Sequence, residues 1–109
     1  MGLYALFANT TGSQNTAFGR SASEGNTTAN SNTSIGYQAL KQTSTGASNV
    51  AVGADALTDN TTGANNTAVG KSALEVNTTG SRNVAIGEGA LDSNTTATNN
   101  TVIGTYAGD

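Results

Sequence analysis

The chain has 109 residues, of which 35% are hydrophobic, 5% aromatic and 10% charged, with a formal net charge of −3. That length allows one ordinary domain, and the small apolar share excludes a thick globular core, while the low charge excludes a charge-driven disordered chain. The absence of His and Cys and the presence of only four cations exclude a disulfide framework, a thiolate zinc site and a basic stripe for nucleic acid.

The first element is "MGLYALFA", an apolar run directly behind the initiator methionine. A secretion signal carries a basic n-region, a longer apolar stretch and a small-residue cleavage site. This run has no basic residue. It reads instead as the second half of a repeat that fills the rest of the chain.

Asn-Thr-Thr begins at Asn9, Asn26, Asn60, Asn77 and Asn94, with Thr43-Ser44-Thr45 in the one gap, always 17 residues apart. The glycine column Gly19, Gly36, Gly53, Gly70, Gly87 and Gly104 lands on Gly2 when carried back one step. The alanine column from Ala22 to Ala107 lands on Ala5, and Leu40, Leu57, Leu74 and Leu91 lead back through Ser23 to Leu6. Met1 falls in the column of Phe18, Ile35, Val52, Val69, Ile86 and Ile103. The chain is therefore a single repetitive β domain over residues 1–109: a half repeat at 1–8, then repeats starting at 9, 26, 43, 60, 77 and 94.

Within one repeat, Asn66-Thr67-Ala68-Val69 alternates as a strand does. Thr67 and Val69 share one face and Ala68 takes the other. Gly70 ends the strand, and a glycine in every copy points to a backbone angle that other residues resist. Ala73-Leu74 starts a second short apolar strand, and Asn77-Thr78-Thr79-Gly80 is a wider turn by composition. The pattern predicts an all-β fold: a 17-residue-repeat β-solenoid with two short strands and two turns per coil. Serially stacked β-hairpins use the same columns and are the alternative. Stacking places Val/Ile on Val/Ile and Leu on Leu as a narrow core, in a rod on the order of 30 Å long at roughly 4.8 Å per coil.

Ala17, Ser34, Ala51, Ala68, Ala85 and Val102 then form a row of small residues on the other side of the strand. This row either admits a neighbouring sheet, in a trimer or a lateral bundle, or forms a thin inner layer of the same coil. Asn15, Asn32, Asn49, Asn66, Asn83 and Asn100 hold one column without exception. They either pass hydrogen bonds from coil to coil or fix a local turn. Tyr4 and Tyr106 occupy equivalent positions near the two ends, with Met1 and Phe7 beside the first edge. No cap is visible in the pattern, so either the sequence is a piece of a longer chain or these residues are the candidate assembly ends of a head-to-tail filament.

Chemistry finds little support. There is no nucleophile elbow, no phosphate loop and no Gly-Gly-x-Gly-x-Asp calcium repeat. Glu24, Glu75, Asp92 and Asp109 share a column and read as a solvated face. N-glycosylation sequons at Asn9, Asn32, Asn65, Asn99 and their equivalents follow from the Asn/Thr-rich composition. The threonine pairs lie adjacent at a turn and do not build the flat Thr-x-Thr face of ice-binding solenoids. No catalytic residue, metal ligand or cofactor is expected.

The segments "NTAVG", "NVAVG" and "NVAIG" resemble the Asn-Ser-Val-Ala-Ile-Gly motif in the heads of trimeric autotransporter adhesins. The whole unit "NTTGANNTAVGKSAL" resembles repeats of phage tail-fibre and large bacterial surface proteins, although the adhesin repeat is shorter than 17 residues. The resemblance covers essentially the entire chain and implies a parallel β-roll and an extracellular location, on a cell surface, in a secreted filament or in a virion fibre. Together these readings predict a non-enzymatic structural subunit of a fibre that assembles with itself head to tail. The alternative is a trimeric adhesin or tail-fibre segment that binds a host-surface receptor. Neither a nucleic-acid partner nor a membrane span is expected.

Overall fold

The computed structural model describes residues 2–108; Met1, placed by the sequence among the assembly ends, and Asp109 lie outside the described residues. Six strands of three residues each succeed one another: β1 (Thr16–Phe18), β2 (Thr33–Ile35), β3 (Val50–Val52), β4 (Thr67–Val69), β5 (Val84–Ile86) and β6 (Thr101–Ile103). They form one parallel sheet in chain order. Every pair is in register at the repeat period, as in Thr67↔Val84, Ala68↔Ala85 and Val69↔Ile86. Parallel pairing between successive repeats makes each repeat one turn of a β-solenoid and removes the stacked-hairpin alternative, whose strands would pair antiparallel. The molecule measures 34 × 21 × 17 Å.

Each coil carries one strand where the pattern predicts two. The Ala-Leu segment is apolar but turns instead of extending. In the fourth repeat Ala73 N–H donates to Gly70 O at 3.3 Å and Asn77 N–H donates to Leu74 O at 3.2 Å, so two tight turns follow one another. Leu74 sits at φ 52°, and Leu6, Leu40, Leu57 and Leu91 hold the same left-handed conformation. That conformation costs a leucine roughly 1–2 kcal/mol. Burial of the side chain and a bond to the next coil, Leu74 N–H to Ala90 O at 3.0 Å, offset it.

The core lies on the opposite face of the strand from the one expected. Ala51, Ala68 and Ala85 are fully buried, packed with Ala39, Ala56, Ala73, Ala90 and with Leu40, Leu57, Leu74 and Leu91. Val52 and Val69 are only half-buried, and Ile86 and Ile35 are 38% and 40% exposed. The reason is volume. A coil of 17 residues with a single strand has an interior wide enough for one leucine layer facing one alanine layer. A column of Val and Ile directed inward would overfill it. The small-residue row is thus the thin inner layer of its own coil, and it is not available to a second chain.

The glycine column behaves as read. Gly70 has φ 135°, and a Cβ there would lie 2.5 Å from Gly87 O, because the corner after the strand stacks backbone on backbone. Gly19, Gly36, Gly53, Gly87 and Gly104 share this conformation, and Gly2 packs against the Gly19 backbone in the same way.

Candidate functional site

Two asparagine ladders run through the coil interior, one continuous from Asn15 to Asn100 and one interrupted at Thr43. In the expected one, each side chain binds the following coil twice. Asn49 Oδ1 accepts from Asn66 N–H at 2.9 Å and its Nδ2 donates to Gly63 O at 2.9 Å. Asn66 repeats this with Asn83 N–H at 3.0 Å and Gly80 O at 2.8 Å. Asn15, Asn32 and Asn83 do the same. Asn100, in the last coil, donates from Nδ2 to Asn83 Oδ1. Of the two readings of this column, the coil-to-coil one holds. Asn32, Asn49, Asn66 and Asn83 are all buried, so each lost partner would leave a desolvated polar group.

The second ladder lies where the composition predicts only a turn. Asn60 closes its own corner by donating from Nδ2 to Gly63 O at 2.9 Å. Asn77 does likewise to Gly80 O and also donates to Asn60 Oδ1 at 2.9 Å, and Asn94 continues to Asn77 Oδ1. Gly63 O therefore accepts from both ladders. Beside them, the hydroxyls of Thr10, Thr27, Ser44, Thr61 and Thr78 each donate to the carbonyl of their counterpart one coil on, at 2.9–3.2 Å. The recurrence of Asn-Thr-Thr in five of the six repeats is the available signal. A turn alone tolerates several residue types, whereas a ladder demands the same one each time. The sequon asparagines Asn26, Asn32, Asn60 and Asn77 are buried in the ladders, while Asn65 and Asn99 stay exposed.

The outward strand face carries Thr16, Thr33, Val50, Thr67, Val84 and Thr101 in one row. The second row is Phe18, Ile35, Val52, Val69, Ile86 and Ile103, and neither row holds a charge. Phe18 is 62% and Ile103 69% exposed. The strip is uncharged and runs the length of the sheet, with four threonines in one row beside the apolar second row.

No family model, curated protein or solved structure matches the chain.

Elsewhere the surface is shallow. A notch of about 330 Å³ is lined by Glu24, Gly25, Lys41 and Gln42, and one of about 230 Å³ by Glu75, Val76, Asp92 and Ser93. The column of Glu24, Glu75 and Asp92 opens into these notches. Among the described residues no group of three or more His, Cys, Asp or Glu converges on a point. Lys71 and Glu88 approach to 3.9 Å in the open, a pair that contributes little. Among the described residues no helix is long and apolar enough to cross a membrane.

The remaining predicted residues lie at the two ends. Tyr4 and Phe7 pack edge to face at 5.5 Å, and Phe7 is 71% exposed. Tyr106 lies with its ring over Gly89, and its hydroxyl reaches Glu88 at 3.5 Å.

Proposed function

We propose that the chain is a structural rod, a segment of an extracellular fibre that grows by stacking coil on coil. One observation supports this reading above the others: the buried asparagines and the column of Thr10, Thr27, Ser44, Thr61 and Thr78 are spent on joining a coil to its neighbour. The end coils carry the same residue types in these columns as the internal ones, Asn9 and Asn15 at one end and Asn94 and Asn100 at the other. A second copy brought in register adds to the rod through the same bonds, head to tail. The extracellular placement follows the resemblance to adhesin and tail-fibre repeats.

A second reading draws on the outward strip. A charge-free face suits lateral association, and three such rods side by side give the trimeric arrangement of the adhesin-like alternative, with receptor binding at its surface. Electron microscopy of the chain in dilute buffer separates the two. Head-to-tail growth predicts unbranched filaments about as wide as the 21 × 17 Å cross-section. Discrete three-chain particles favour the lateral reading, and discrete monomers contradict both. Ile86→Lys places a charge in the strip; it leaves filaments intact and abolishes three-chain particles.

A further inference from the structure

The interior is not uniform along the rod, and its irregularities fall at one level. Ser23 replaces leucine in the leucine column and Ser34 replaces alanine in the strand column. The two are buried and bonded to each other, Ser23 Oγ to Ser34 Oγ at 2.9 Å, with Ser34 Oγ also donating to Thr16 O. The continuous apolar core starts only beyond them, at Ala39 and Leu40. One rung above Asn26, the second asparagine ladder meets Thr43, which is too short to continue it. Asn26 Oδ1 and Thr43 Oγ1 are both buried without a hydrogen-bond partner. Of the backbone bonds across this level one, at the Thr27 corner, is also long, while Ser23 N–H to Ala39 O at 2.9 Å and Gly25 N–H to Lys41 O at 2.7 Å are of ordinary length. Thr27 N–H reaches Ser44 O at 3.3 Å, against 2.8 Å for Thr78 N–H to Thr95 O and 2.9 Å for Thr10 N–H to Thr27 O.

Ser23 weakens the leucine column against both neighbours, and Thr43 breaks the ladder on both sides. Only the level that sets residues 23–26 against residues 40–43 suffers both defects. In a stack whose stability is a sum of nearest-neighbour interfaces, the array parts at its weakest interface.

We propose that this level is an opening joint built into the rod: residues up to about Ser34 separate from the rest as a unit, before global unfolding, and expose the sheet edge that begins with the third coil. A joint of this kind lets one segment of an otherwise rigid rod yield while the segment beyond Leu40 stays folded. It also offers a free edge to a second copy of the chain, the geometry of coil exchange.

Native-state hydrogen exchange of the full chain tests the joint. The Ser23, Gly25 and Thr33 amides bond across it, to Ala39 O, Lys41 O and Asn49 O. The Leu74, Thr78 and Val84 amides bond across a regular level nearer the other end, to Ala90 O, Thr95 O and Asn100 O. Ordinary fraying would expose the second set first, since fewer residues lie outside it. The joint predicts that the first set exchanges at least about tenfold faster. Thr43→Asn gives Asn26 Oδ1 its missing donor and Asn60 Nδ2 a further acceptor. It slows the first set by about tenfold and leaves the second unchanged, one buried hydrogen bond's worth. Ser23→Leu with Ser34→Ala restores the apolar columns and does the same, so the test stands if one variant folds badly. Equal exchange of the two sets in the natural sequence, or no slowing of the first set in a folded variant, overturns the joint.

Discussion

Asn66→Ala is expected to lower stability by about 3 kcal/mol, a large share of the roughly 5–15 kcal/mol that holds a domain of this size. Asn66 is fully buried, and both ends of its amide face the next coil. Truncation leaves Asn83 N–H without an acceptor in a place water does not reach, at about 1–3 kcal/mol, and opens a void the size of the lost amide. Gly80 O keeps one partner, Asn77 Nδ2, so the loss falls mainly on the amide side. Thr62→Ala is the control: the residue is exposed on the same coil, and the change stays within about 0.5 kcal/mol. Chemical denaturation of the three proteins gives the comparison directly. Asn66→Asp separates hydrogen bonding from shape. It keeps the acceptor for Asn83 N–H but sets a carboxylate against Gly80 O. Burial without a cation favours the protonated acid, so the variant is close to natural stability at acidic pH. It loses stability as pH rises through and above the ordinary carboxyl range.

Gly70→Ala is the second large effect, again about 3 kcal/mol. Two causes add. At φ 135° an L-residue is strained by roughly 1–3 kcal/mol. The new Cβ meets Gly87 O at 2.5 Å and Gly87 C at 2.6 Å, which are backbone atoms locked into the next coil. They move only if the coil spacing opens, at a further cost of about 1–3 kcal/mol. Gly89 is the contrasting position. It holds φ 64°, where the same column elsewhere accepts Gln38, Asp55 and Ser72, so conformation alone does not require glycine there. Thermal melts of Gly70→Ala beside the natural chain show the difference.

The circumference of the coil was legible in the sequence because insertions are absent, and the glycine column because one backbone angle recurs at every corner. The inward face was not. Three alternating residues reveal which side chains share a face, but not which face is inside. Ranking by hydrophobicity sends Val69 inward; the available volume sends Ala68 inward instead. The discriminating signal was size. The inner column stays small, Ala or Ser, until Val102 in the last strand, while the outer column ranges from Val to Phe. Constancy of volume marks a confined position more surely than apolarity does. The Ala73-Leu74 segment departs from the expected strand for a different reason. Nothing local predicts leucine at positive φ; only burial and the bonds to neighbouring coils hold it there.

The ladder of Asn9 and its equivalents illustrates a limit of local reasoning. Its bond to the residue three along is a turn contact, visible from composition. Its bond one coil away depends on the exact stacking of repeats. The single exception at Thr43 gains meaning only once that stacking is known, because a threonine is harmless in a turn and disruptive in a ladder.

Small-angle scattering on a length series tests the central claim, that each repeat is one coil of a rod. Three additional repeats copied from residues 60–76 extend the long axis by about 14 Å, at about 4.8 Å per repeat, and leave the cross-section unchanged. Growth of all three dimensions together, as in a globule, contradicts the account.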